Sequence, residues 1–215
     1  MDLQIECQAQ PTLAQVFKRI VDITIAFTGL IVLSPVFFLI AILIKLESQG
    51  PAIFRQLRVG QDGCLFVLYK FRTMREADQD QPDESFVEGA EDRIKFNLYQ
   101  KISDHPRLTF IGRILRRSSL DELPQLWNVL NGEMSVVGPR PILPEQKTLY
   151  GKALINYIQL RPGITGFWQV SGRNRLSFLE RVSCDEFYFC NQSLGLDFVI
   201  LVRTVWVVLS QEGAY

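Results

Sequence analysis

The longest apolar run of the chain lies near its start. Residues 20–44 contain a single charge, Asp22. As one straight helix the run would be roughly 37 Å long at about 1.5 Å per residue, enough to cross a hydrocarbon core of about 30 Å. Ser34-Pro35 falls near its middle. Proline removes a helix hydrogen bond and clashes with the preceding turn, so the pattern predicts a kink there. Each half is then long enough to enter one leaflet and return. Lys18 and Arg19 precede the run, and Lys45, Arg55 and Arg58 follow it. Basic flanks favour the cytoplasmic side, and cations at both ends fit a re-entrant hairpin. Spanning helices also tolerate proline. The pattern therefore leaves a simple span and a re-entrant hairpin both open, while its length disfavours a buried core helix.

After Gly50-Pro51 the period changes. Residues 52–59, the turn Gly60-Gln61-Asp62-Gly63 and residues 64–73 predict a β-hairpin. Lys70 and Arg72 are two apart and share a face, either as solvent-facing cations or as part of a site. A new unit begins near Asp104-His105-Pro106. Residues 109–117 predict a helix with Arg113, Arg116 and Arg117 on one side. The stretch from Ser118 to Pro124 is a break and restart. Pro124 suits a first helical turn and so places Asp121 near a helix N-terminus. Leu123, Leu126, Trp127 and Leu130 form an apolar face, and Asn131-Gly132 ends the helix. Arg140, Arg161 and Arg173 each sit on a Pro- or Gly-rich turn. Residues 196–209 are a strongly apolar helix or strand.

Length bounds this chain to one main domain with a real core. The 23 basic and 23 acidic residues balance, but unevenly: residues 76–92 hold eight acids and no Lys or Arg. That run reads as a solvated loop. The remaining body is net basic and suits anionic partners such as phosphates and lipid headgroups. The hydrophobic anchor and zero overall charge argue against a nucleic-acid partner. Cys7, Cys64, Cys184 and Cys190 show no C-x-x-C spacing and there is one histidine, His105, so a zinc site is not expected and the thiols read as reduced. The polar, acidic first residues do not resemble a signal peptide. Neither a dinucleotide-binding glycine fingerprint nor a P-loop is present.

Asp121 and Glu122 are the candidate chemistry. They are adjacent acids just after three arginines. Acids cap helix N-termini through backbone N–H groups, and that role alone accounts for the local pattern. The same physics permits more. A carboxylate at a helix N-terminus beside arginine stays ionised and ordered. It can attack phosphorus, while its neighbour holds Mg²⁺ against a diphosphate. Arginines on rigid turns supply planar donors for phosphate oxygens.

Taken together these motifs resemble the bacterial sugar transferases, the monotopic polyprenyl-phosphate phosphoglycosyl transferases. The matching stretches are KRIVD at 18–22, Ser34-Pro35, GPAIFRQLRVG at 50–60 and YKFRTM at 69–74. Further on come RRSSLDELPQLWNVLNGEMSVVGPRP at 116–141, RPGITGFWQVSGR at 161–173 and the apolar stretch containing Asp197. The resemblance implies an α+β, mainly helical fold. A polar segment (1–17) precedes a re-entrant membrane helix hairpin (18–46) broken at Ser34 and Pro35. A small β-hairpin and membrane-surface helices then surround a cytoplasmic catalytic core (47–215), with 76–92 as a variable acidic loop. The short stretch ahead of the apolar run implies no additional transmembrane bundle.

The resemblance further implies that Asp121 is the nucleophile and Glu122 the magnesium-associated acid, with Mg²⁺ as cofactor. Lys70, Arg72, Arg116, Arg140, Arg161, Gln169 and Arg173 fall on its substrate-binding positions. Asp185 and Asp197 also fall on motif positions, with roles left open. The implied reaction moves a sugar-1-phosphate from a UDP-sugar to undecaprenyl phosphate and releases UMP. It runs through a covalent Asp121 intermediate at the cytoplasmic face of the bacterial inner membrane, as a first step of exopolysaccharide, O-antigen or glycoconjugate synthesis. Two other readings stay open: a glycosyltransferase that passes only the sugar and releases UDP, with Asp121 as general base, and a non-catalytic scaffold or lipid-phosphate binding module. The sugar is not specified, nor is the oligomeric state, a homodimer included.

Overall fold

In a computed structural model the apolar run folds as two helices, α1 (Leu13–Val32) and α2 (Ser34–Glu47), bent by 61° at their junction. The structure describes residues 13–75 and 107–210. Cys7, the acidic run 76–92 and His105 lie outside the described residues. Pro35 occupies the first turn of α2, where its missing N–H costs nothing. The Ser34 hydroxyl donates back to the Ile31 carbonyl at 2.8 Å. Among the described residues no single helix is long and apolar enough to cross a bilayer, whereas the bent pair together passes on length and composition. Both helices leave large apolar side chains exposed, among them Phe17, Phe27, Ile31, Phe38 and Leu46.

β1 (Ile53–Val59) and β2 (Leu65–Phe71) form the antiparallel hairpin, in register from Ile53 opposite Phe71 to Val59 opposite Leu65. Phe71 packs beneath α2 with Ile40, Ile44 and Leu115. The last of these belongs to α3 (Phe110–Ser118). Glu47, at the end of α2, accepts from the Phe110 and Ile111 amides at 2.6 and 3.0 Å, capping α3 from a distant part of the chain. Arg116 of α3 turns inward, while Arg113 and Arg117 stay exposed.

A one-turn 3₁₀ segment, Leu120–Glu122, leads to the short α4 (Gln125–Asn131). The expected apolar face of α4 needs one correction. Trp127 is 54% exposed, while Asn128 is fully buried. Asn128 wins the inner position because β2 needs it: its amide accepts from Tyr69 N (3.1 Å) and donates to Val67 O (2.7 Å), satisfying backbone groups of the strand.

β3 (Ser135–Val137) and β4 (Gly163–Thr165) form a second, parallel pair. Between them lie α5 (Lys147–Tyr150) and α6 (Leu154–Tyr157). After them come α7 (Phe167–Ser171), α8 (Phe178–Asn191) and α9 (Leu194–Ser210), so the final apolar stretch is a helix. The main core joins Ala26 of α1, Leu68 of β2, Leu126 and Val129 of α4, Val136 of β3, Tyr188 of α8 and Ile200 of α9. A second core gathers Val59, Ile142, Tyr150, Tyr157 and Phe178.

Glycines let the β3 and β4 loops touch. Gly138 N donates to Thr165 O at 2.9 Å and Gly163 N to Pro139 O at 2.7 Å. A Cβ on Gly138, Gly163 or Gly166 would lie 2.1–2.4 Å from backbone atoms of the facing loop. The two Arg-bearing Gly/Pro loops of the sequence are thus one zipped unit.

Candidate active site

The chain reverses at Ser119, whose φ of 57° ends α3 in the left-handed region. This turn presents Asp121 inward, 8% exposed. Among the described residues its carboxyl makes no hydrogen bond, and burial pushes its pKa up to about 6, with the Glu122 charge adding to the rise. Lys70, Arg116 and Arg140 pull it back down. Arginine alone would have held the carboxyl low; here burial outweighs it, and the group is still mostly ionised at neutral pH. Burial in turn lowers Lys70 to about 8, a fall opposed by the Asp121 charge. Arg140 Nη2 pairs with Glu122 Oε1 at 2.9 Å.

Arg116 Nε donates to Thr73 Oγ1 at 3.0 Å, at the end of the hairpin. Arg173, itself at φ 54°, donates to Ser119 Oγ at 2.6 Å and so reaches the carboxylate turn. Lys70, Arg116, Arg140 and Arg173 therefore come together. Beside Arg173 opens a cavity of about 210 Å³ lined by Gln169, Val170, Ser171, Gly172, Arg175 and Val207. Gln169 donates to Ile164 O at 3.0 Å, and its buried Oε1 has no hydrogen-bond partner among the described residues.

The other candidates lie elsewhere. Arg72 donates to the Ser48 and Gln49 carbonyls at 2.8 and 2.5 Å, holding the end of α2. Arg161 is exposed and its charge acts on Arg19, which donates to Val129 and Leu130 carbonyls at the far end of α4. Asp185 is buried and accepts from the Tyr150 hydroxyl at 2.7 Å; burial raises its pKa to about 7. Asp197 receives Lys18 Nζ and the Tyr188 hydroxyl, both at 2.6 Å.

Arg58 is a residue the sequence reading passed over as a flanking charge. It donates to Pro141 O at 3.0 Å, next to Arg140. Burial, then the Arg140 charge, lowers it to about 10, opposed in part by Glu122. The register supplies the missing signal: Phe54 faces Lys70 and Arg58 faces Phe66, so Arg58 and Lys70 share one face of the hairpin. Asp22 was likewise only the lone charge of an apolar run. It is buried and accepts from Ser135 Oγ (2.8 Å) and Val136 N (2.9 Å), tying α1 to β3.

Among the described residues no group of three or more His, Cys, Asp or Glu side chains gathers for a metal. The Asp121–Glu122 pair still fits Mg²⁺, which binds one or two carboxylates and takes its other oxygens from phosphates and water. A desolvated carboxylate with an acidic neighbour and converging cations suits transfer chemistry at phosphorus.

The chain belongs to the bacterial sugar transferase family, whose model matches residues 13–211. It is 42% identical over 198 residues to the exopolysaccharide production protein ExoY of Sinorhizobium fredii, covering 92% of this chain and 88% of the relative. It is 39% identical over 206 residues to the UDP-glucose:undecaprenyl-phosphate glucose-1-phosphate transferase of Caulobacter vibrioides, covering 92% and 72%. To the undecaprenyl-phosphate galactose phosphotransferase of Salmonella typhimurium it is 40% identical over 215 residues, which is all of this chain but 45% of that protein.

Proposed function

We propose that the protein moves a sugar-1-phosphate from a UDP-sugar to undecaprenyl phosphate at the membrane surface, serving exopolysaccharide or related glycan synthesis. One observation carries the reading: Asp121 is buried, free of hydrogen bonds among the described residues, and surrounded by the charges of Lys70, Arg116, Arg140 and Glu122. An Asp121 oxygen attacks the phosphorus nearest the sugar. The bond from that phosphorus to the bridging oxygen breaks, and UMP leaves with the electron pair. An oxygen of undecaprenyl phosphate then attacks the same phosphorus and displaces the Asp121 carboxylate. Lys70, Arg116 and Arg140 bind the phosphate oxygens, where charge-assisted contacts hold the phosphorus in line. Glu122, with Asp121 beside it, would hold Mg²⁺, which supplies neutralising charge for the leaving phosphate when bound.

The same reading makes the bent pair re-entrant, with both ends on the cytoplasmic face. Lys18 and Asp22, in the first half of α1, bond to Asp197 and to β3. Ser48 and Glu47 at the end of α2 bond to Arg72 and α3. Two ends tied to one body belong on one side of a bilayer.

The test is exchange of labelled UMP into a panel of UDP-sugars with no lipid acceptor. Exchange in the wild type, lost in Asp121→Asn, together with a phosphosugar adduct in intact-protein mass, is the expected result. Sequential kinetics releasing UDP, with neither exchange nor adduct, would replace it with sugar-only transfer.

A further inference from the structure

Trp168 stands second in α7, directly after the zipped glycine loops, and is 5% exposed. Two guanidinium groups lie over its ring: Arg181 with Cζ 4.7 Å from the centroid and Arg140 at 5.9 Å. Each cation also answers to an acid. Arg140 pairs with Glu122 at 2.9 Å. The Arg181 charge acts on buried Asp185, which Tyr150 fixes through its hydroxyl at 2.7 Å. Arg181 Nε is further held by the Leu176 carbonyl at 3.0 Å. Arg140 and Arg181 thus share the indole, and each also interacts with an acid, Glu122 and Asp185 respectively.

The backbone beneath Arg140 is fixed from several sides. The Tyr157 hydroxyl lies 3.0 Å from the Val59 carbonyl and 3.3 Å from the Arg140 carbonyl, and it accepts from Ile142 N at 3.2 Å. Arg58 holds the next carbonyl, Pro141. The Arg140 side chain, in contrast, is 43% exposed. A long side chain with a solvated head keeps its geometry only if something braces it. The ring's electron-rich face supplies that brace without competing for the N–H donors that face phosphate.

We propose that Trp168 is a positioning residue for phosphosugar transfer: its π face holds the Arg140 guanidinium between Glu122 and the diphosphate, with Arg181 as the second cation on the ring. The proposal rests on the function proposed above. It assigns α7 a part in the reaction through Arg140.

Fluorination separates a π brace from plain packing, because it weakens the ring's attraction for cations with almost no change of shape. In a parent carrying Trp127→Phe and Trp206→Phe, which replace the two exposed indoles, position 168 takes tryptophan, mono-, di- and trifluorotryptophan in turn. UMP release should fall stepwise in kcat/KM, about five- to thirtyfold across the series, mainly through KM for the UDP-sugar, with only a small fall in melting temperature from the weakened Arg181 contact. Trp168→Phe should retain more activity than Trp168→Leu. A flat series, or a loss that tracks a large fall in melting temperature, overturns the brace in favour of simple core packing. A wild-type protein that releases no UMP overturns the proposed function and this inference with it, whereas normal turnover of the parent with a flat series overturns only the inference.

Discussion

Buried acids are treated differently in two regions of the molecule. Where α1 meets β3 and α9, Asp22 and Asp197 have their oxygens filled: Ser135, Val136, Lys18 and Tyr188 all bond to them within 2.9 Å. At the turn after α3, Asp121 is equally buried yet has no hydrogen bond among the described residues, only nearby charges. The first arrangement is how a protein pins an element. Polar groups are satisfied, which offsets much of the cost of burying them, and removing one partner costs much. The second keeps a carboxylate unsatisfied and its pKa raised, which is costly to the fold and useful only if a ligand completes the site.

The sharpest way to break this comparison is to neutralise one acid of each kind. Asp121→Asn should reduce UMP exchange by roughly 10⁶-fold, the scale for loss of a covalent nucleophile. Its melting temperature should hold or rise, since an amide replaces an unpaired buried charge. Loss of the folded state in this variant would show that Asp121 is an anchor like the others.

Asp197→Ala should do the opposite. Removing one partner of a largely buried ion pair leaves Lys18 uncompensated, and about 3 kcal/mol of stability should go. The folded fraction should retain its kcat. Denaturant unfolding paired with kinetics normalised to active protein reads both numbers. A kinetic defect without a stability loss would move Asp197 into the site.

Among the cations the effect should be smaller. Arg116→Ala or Arg173→Ala should lower kcat/KM about tenfold, the loss of one charge-assisted phosphate contact, while membrane association persists. Arg72→Ala should instead lower stability, because that side chain holds the end of α2.

The gentlest probe is pH. Activity needs Asp121 ionised and Lys70 charged, so kcat/KM should fall below about pH 6 and again above about pH 8. Stability has its own sign. Asp185 is raised from 3.8 to about 7 in the fold, so folding favours its protonated form. Its contribution is fully present below the unfolded value and is lost as pH rises through 7. Asp185→Asn should reduce the fall of the melting temperature between pH 4 and 7, leaving the part that Asp121, raised to about 6, contributes. A slope unchanged by the substitution would locate that linkage elsewhere.

Local signals in the chain determined a good deal. Ser34-Pro35 located the break to within a residue or two, at Leu33, because proline's missing N–H and steric clash act within one turn. The Gly60–Gly63 turn located the hairpin, and Ser118 to Pro124 located the reversal that carries Asp121, again through nearest-neighbour geometry. Residue chemistry and the family resemblance singled out Lys70, Arg116, Arg140 and Arg173, which do converge on that reversal.

Only tertiary structure decided what each charge faces. Arg72 and Lys70 are two residues apart, yet one holds the end of α2 and the other lies near Asp121. Arg58 was invisible as a site residue until the hairpin register put it on Lys70's face. Asp22 became an anchor only when β3, more than a hundred residues later, came alongside α1. Trp127 lost its expected inner place to Asn128 because β2 needed an amide. Alternation and helical period are properties of adjacent residues, and the chain carries them by itself. Desolvation and pairing depend on residues brought together from 113 or 179 positions away, and only the packed fold sets them.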